Sequence, residues 1–298
     1  MGSSNYLSAQ TDEDAIMMVK NNFCVGGMYS HSSWKNYWEG DFKRNNLNLG
    51  TVSSQMTGFM GTYGVTDKLN IIVNVPYIWT GVTAGTLHHM HGVQDLSAWI
   101  KWMPLEKELG KGTISLYTIG GFSVPLSNYE PNYLPLSIGM HSKTLSGRIM
   151  ADYQINHFFV TASGTYTWRS NITIDQNSYY TTQEILSNEV YMPNMSALNF
   201  RTGYRSEFLI AEALVSNMTT IGGFDIRKND MPFPSNKMNA TNVGINIKWT
   251  LKKLPNLSLI GGGNYVVAGR NVGQSTTIDG GVFYVLDFSH SSKPAKSN

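Results

Sequence analysis

The feature that most limits what this chain can fold into is a strict two-residue alternation. In "LNIIVNVPYIW", Leu69, Ile71, Val73, Val75, Tyr77 and Trp79 take every other position, with Asn70 and Asn74 between them. Side chains alternate across a strand, so this stretch presents one apolar, aromatic face and one polar face. The pattern recurs. Phe158, Val160, Ala162, Gly164, Tyr166 and Trp168 alternate with Phe159, Thr161, Ser163, Thr165, Thr167 and Arg169. Val243, Ile245, Ile247, Trp249 and Leu251 oppose Asn246, Lys248 and Thr250, while Ile278, Val282, Tyr284, Leu286 and Phe288 oppose Thr277, Asp279 and Asp287. Related patterns run near 20–33, 51–63, 93–103, 113–126, 143–155, 197–204, 208–218 and 257–268. The total is about twelve strands of roughly nine to fifteen residues, long for globular strands but suited to crossing a bilayer at a tilt. Helical periodicity is confined to residues 11–20.

The lengths of the connections sort by parity. Links after even-numbered strands are short ("GVTDK", "LEKELGK", "NH", "RSE", "KKLPN"), and those after odd-numbered strands are mostly long, the longest from Ser170 to Ser196. Short turns at one end and long loops at the other describe an all-β fold: a transmembrane antiparallel up-and-down β-barrel in a Gram-negative outer membrane. The aromatics agree, because Trp79 and Trp168 fall at the long-loop rim and Trp102, Tyr153, Trp249 and Phe288 at the opposite rim. These are the two interfacial girdles of such barrels. Lipid then takes the apolar face and the lumen takes the asparagines, with closure satisfying the backbone where water is absent.

Composition fits. Charged residues are only 14% of 298, mean hydropathy is -0.20, and no apolar run reaches the length of about 18 residues that a spanning helix needs. A net charge of +2 points to no nucleic-acid partner, and the single cysteine, Cys24, permits no internal disulfide. The N-terminus lacks a signal peptide, which is read as removed or absent from this chain. Residues 1–14 are assigned to a periplasmic extension, 15–288 to the barrel and 289–298 to a C-terminal tail. A second placement folds "TDEDAIMMVK" (11–20) inward as a plug.

Several motifs also carry a family resemblance. "YGVTDKL" (63–69), "VPY" (75–77), "GVQDLSAWIKW" (92–102) and "GGFSVPL" (120–126) together resemble the outer-membrane barrels of the "MetA-pathway of phenol degradation" family, over about a quarter of the chain. The resemblance implies an outer-membrane pore or transporter for small, hydrophobic or aromatic compounds. "GGVFYVLDF" (280–288) is similar to the aromatic-ending signal read by barrel-assembly machinery, although a tail follows Phe288.

By parity, Asp95, Lys101, Arg148, Asp152, Arg169, Arg201, Lys248 and Asp279 face inward, and Asp287 and Glu212 join them. Turned to lipid near the midplane, an arginine or lysine would cost roughly 2–4 kcal/mol. These residues are the candidate lumen lining and selectivity set. Trp79, Trp102, Trp168, Trp249 and Phe288 form the candidate membrane-interface girdle. His88, His89 and His91, in "TLHHMHG", are a candidate metal site on an outer loop, weighed against an ordinary polar loop because adjacent histidines make no preformed ligand geometry. His31 and Ser33 share one strand face and resemble the His-x-Ser pair of the outer-membrane phospholipase, but nothing supplies an orienting third group or an oxyanion site.

The function expected is therefore a non-enzymatic, cofactor-free, porin-like channel or transporter for a small-molecule solute. Its surroundings are outer-membrane lipids and lipopolysaccharide. A structural or docking subunit of an outer-membrane complex, with a filled lumen and long partner-binding loops, is the alternative; a lipid hydrolase is a third.

Overall fold

The computed structural model describes residues 11–228 and 230–288. The tail proposed for 289–298 and the first ten residues of the N-terminal extension lie outside them. Twelve long strands make the wall: β1 (Asn22–Trp34), β2 (Val52–Thr66), β3 (Leu69–Val82), β4 (Asp95–Leu109), β5 (Gly112–Pro125), β6 (Thr144–Ile155), β7 (Phe158–Arg169), β8 (Asn194–Arg205), β9 (Leu209–Ile221), β10 (Asn239–Leu251), β11 (Leu254–Arg270) and β12 (Thr276–Asp287). Each pairs antiparallel with its sequence neighbour. β1 also pairs with β12, from Asn22 against Asp287 to Ser33 against Thr276. The twelve-stranded wall therefore closes on itself and has no edge strand.

The parity of the links holds. Asp67–Lys68, Gly110–Lys111, Asn156–His157 and Lys252–Lys253 are two-residue turns, and Ser206–Phe208 is a three-residue one. Asn156 and Gly110 sit at φ 51° and 64°, the left-handed conformation that tight hairpins require and that Asn and Gly accept at least cost. At the other end the loops are long and carry small hairpins, such as Asn36–Glu39 against Phe42–Asn45. The link between β11 and β12 is the short exception there.

The two faces separate as alternation requires. On β7, Phe158 and Trp168 are exposed outward while Phe159, Thr161 and Thr167 are buried inward. Pro76, which has no N–H for a ladder, falls where the β3–β4 pairing breaks. Asn74 opposes Ser97, but Tyr77 opposes Val93 in the short segment His91–Val93, so two residues of β3 face three on the partner strand. The Gln94 N–H then bonds the Pro76 carbonyl at 3.0 Å. The proline is accommodated by a bulge.

One expectation fails. Residues 12–15 form bends and 16–19 take no regular structure, so no helix forms over 11–20. The Asp14 carboxylate accepts from the Thr11 N–H at 2.6 Å and the Ile16 N–H at 3.1 Å, and such local capture of backbone donors competes with helical pairing.

Candidate functional site

The N-terminal segment enters the barrel from the short-turn end. Lys20 N–H bonds the Asp67 carboxylate of the β2–β3 turn at 3.0 Å, and Asn21 N–H bonds the Gly64 carbonyl at 2.8 Å. Two apolar anchors hold it to the wall. Met18, 1% exposed, packs with Cys24, Phe283 and Val285, and Ala15 packs with Met103, Tyr117, Ile119 and Met150. Of the two placements read from the sequence, the inward one describes Thr11–Asp14. They lie in the lumen because three consecutive carboxylates there meet three cations.

Those cations come from separate strands. Lys101 of β4 is fully buried. Its ammonium donates to the Thr11 and Ile16 carbonyls at 3.1 and 2.9 Å, to the Asp14 carbonyl, and to Asp14 Oδ1 at 3.0 Å. Arg148 of β6 donates to the Asp12 carbonyl at 2.7 Å and to Asp12 Oδ2 at 3.1 Å. Its Nε is held by Thr165 Oγ1 at 2.7 Å, and its guanidinium lies 5.3 Å from the Trp99 ring centre. Arg201 of β8 bridges Glu13 to Glu212 of β9, the latter at 2.7 Å. Pairing of this kind is what permits charges to stay ionised away from bulk water.

The segment divides the lumen. A cavity of about 570 Å³ on the short-turn side is lined by Ala15, Ile16 and Met17 together with Gly110, Lys111, Asp152 and Arg205. A larger one of about 860 Å³, on the long-loop side, is lined by Thr11–Asp14, Arg148, Arg169, Arg201, Lys248 and Asp279. Ile16 and Arg205 border both. Toward the long-loop mouth, residues 126–143 fold onto the inward face of β3. Tyr129 and Ile138 pack on Ile78, Thr80 donates to the Leu136 carbonyl at 2.7 Å, and Tyr129 donates to Asp95. Burial and the neighbouring Asp95 carboxylate push the Tyr129 phenol above its usual range.

The predicted lining residues thus have different surroundings. Lys101, Arg148 and Arg201 converge on the segment. Asp152 instead accepts from Arg205 at 3.0 Å and from Thr161, near the short-turn end. Asp95 anchors the inward-folded loop. Arg169 contacts Met195 Sδ at 3.4 Å, and among the described residues no carboxylate lies within ion-pair distance of it. Sequence reasoning missed Arg205, although it shares the parity of Arg201; the assumed strand stopped at 204, one residue short. It also missed Asp12, Glu13 and Asp14 as partners, because the strands that donate to them lie about 85 to 190 residues away. The girdle positions face outward: Trp102, Trp168, Trp249 and Phe288 are each about half exposed, and Trp79 packs between Tyr29 and Tyr77.

The histidines do not converge. His91 Nδ1 pairs with Tyr77 OH at 2.8 Å and stacks on its ring, while His89 Nδ1 meets the Thr80 carbonyl at 3.2 Å. Among the described residues no three His, Cys, Asp or Glu side chains gather as a metal site would require. His31 and Ser33 lie on the outward face that also bears Tyr29, and none of the described hydrogen bonds joins them.

This closed wall, with polar side chains inside and apolar and aromatic ones outside, defines a transmembrane β-barrel of the outer-membrane type. No protein-family model matches the chain, and neither does any curated protein. Among solved structures, an outer membrane channel from Pseudomonas putida F1 superposes with a TM-score of 0.74 at 13% identity, covering 93% of this chain and 100% of that one. The translocator domain of the autotransporter NalP from Neisseria meningitidis gives 0.48 at 8% identity, covering 90% and 88%. At such identities the first likeness is one of fold.

Proposed function

We propose that this protein is an outer-membrane channel for small organic solutes whose lumen is closed, in the state described, by its own residues 11–20. The observation that carries the reading is the pair of cavities, one at each end of the lumen, with the N-terminal segment between them. The segment is fastened by three ion pairs, by hydrogen bonds from Lys101, Arg148 and Tyr117 to its carbonyls, and by two small apolar contacts; polar fastenings that water can replace suit a removable closure better than a permanent core. Likeness of fold to an outer membrane channel supports the same reading. The motif resemblance suggests hydrophobic or aromatic solutes. No catalytic step is invoked.

The mechanism follows from charge. Withdrawing the segment would leave Lys101 and Arg148 without a carboxylate, and an uncompensated buried charge is costly. Opening therefore requires water or a solute to enter as the segment leaves. The test is single-channel conductance of the purified full chain in a planar bilayer, together with Arg148→Ala and Arg201→Ala. Each substitution removes a fastening, so the channel is expected to open more often than the parent. A barrel that is folded but silent in all three forms would favour the docking-subunit reading. Apolar side chains on the long loops, such as Leu186 and Tyr191 at 83% and 62% exposure, give that second reading its support.

A further inference from the structure

The charges around the larger cavity point to the class of solute. Five cations line it: Arg148, Arg169, Arg201, Arg205 and Lys248. The wall itself supplies two carboxylates to the lining, Glu212 and Asp279, and a third, Asp152, pairs with Arg205 from the adjoining cavity. Asp12, Glu13 and Asp14 of the segment also line it, and only with them do the carboxylates, Asp152 included, equal the cations, Lys101 included. When the segment moves away, the wall is left with an excess of positive charge inside a confined, low-dielectric space, where anions are concentrated and cations repelled.

The cations are also preshaped for carboxylates. Arg148 is held from two sides by Thr165 and Trp99, and Arg201 is oriented by Asn199 at 3.0 Å and by Glu212. A guanidinium fork fixed in this way recognises a planar carboxylate with little further ordering. The rest of the cavity wall is not polar throughout. Met28, Met56, Met60, Met195 and Met218 line it with Trp99, and thioethers adapt to apolar and aromatic surfaces of varied shape.

We propose that the channel selects organic acids, molecules with a carboxylate on an apolar body. Their carboxylates take the places of Asp12 and Glu13 on Arg148 and Arg201, and their bodies rest on the methionines and Trp99. The chain's own acidic segment is thus a stand-in for the solute, and arrival of the solute offsets the cost of releasing it. Arg169, at the long-loop end of β7, is the outlying cation that an incoming acid meets. The inference rests on the channel reading above and narrows its solute.

The test uses the full-length protein in a planar bilayer with benzoate as probe and benzamide as its neutral isostere, at constant ionic strength. Benzoate on the long-loop side is expected to raise the open probability several-fold, and benzamide is not. Arg169→Gln should raise the benzoate concentration needed several-fold. The Asp12→Asn/Glu13→Gln variant should open without benzoate and give a reversal potential on the anion side in a salt gradient. If that variant opens but is cation-selective or unselective, or if benzamide opens the parent as well as benzoate does, the organic-acid proposal is overturned while the channel stands. If the variant folds, as judged by circular dichroism, but never conducts, the channel reading fails and takes the proposal with it.

Discussion

At the scale of the residue, Lys101 is the most constrained side chain in the lumen. A lysine ammonium has three protons, and here they are shared among three carbonyls and a carboxylate, all from residues 11–16. Lys101→Met keeps the stem but leaves Asp14 without its counter-charge. Breaking one side of a buried pair costs about 3–5 kcal/mol when the partner stays in place. This partner can leave. The expected result is therefore loss of the segment from the lumen, read as deprotection of amides 11–20 in hydrogen exchange, with the barrel amides unchanged. Arg205 presents the opposite case, because its partner Asp152 sits in the wall and cannot leave. Arg205→Ala should lower barrel stability by about 3–5 kcal/mol, since the buried Asp152 loses its counter-charge and keeps only Thr161, in denaturant unfolding from vesicles.

The alternation of side chains becomes a physical division at the scale of the element. Ile245 of β10 is 61% exposed on the outer face, between Ala213 and Gly263 on the neighbouring strands. Ile245→Arg should destabilise the barrel by about 2–4 kcal/mol if the site is near the bilayer midplane. Asn246→Arg, one residue on and facing the lumen, should cost less, and equal costs would contradict the assigned faces. Strand number, link parity and the outward direction of the rim aromatics were legible in the sequence because period, loop length and aromatic position are local. Pro76 could be assigned to a bulge or an edge but not to one of them, since the choice depends on how Gln94 meets it across the ladder. The loop from Gly222 to Met238 is tied down by another non-local contact. Asp225 accepts from Arg270 at 2.8 and 2.6 Å and from Asn271 at 2.7 Å. Hydrogen bonding from Arg270 holds the Asp225 carboxyl below the usual carboxylate range. A group depressed in the folded state stabilises above its unfolded pKa, and the contribution is lost as pH falls through the folded value. Amide protection at 224–226 should accordingly stay constant from about pH 8 to pH 5 and fall below about pH 4, and Asp225→Asn should abolish that dependence. The pair is partly exposed, so high salt should weaken it as well.

At the scale of the whole molecule, the barrel and the closure have different origins. The wall follows from a pattern written along every strand, and composition and periodicity suffice to find it. An inward fold of residues 11–20 was one of two placements the sequence offered, but the match between their three adjacent carboxylates and cations brought together from β4, β6 and β8 is one that no local reading reveals. The inward parity of Lys101, Arg148 and Arg201 was legible; what they held was not. The channel proposed here should respond to neutralising the segment's carboxylates without any change to its wall. The most direct measurement is single-channel conductance of the full chain beside the Asp12→Asn/Glu13→Gln/Asp14→Asn variant, with circular dichroism confirming that both barrels are folded. The account predicts a parent that is mostly closed and a variant that conducts steadily, at a level set by the wall. Two folded barrels with the same conductance, or two that never conduct, would contradict it.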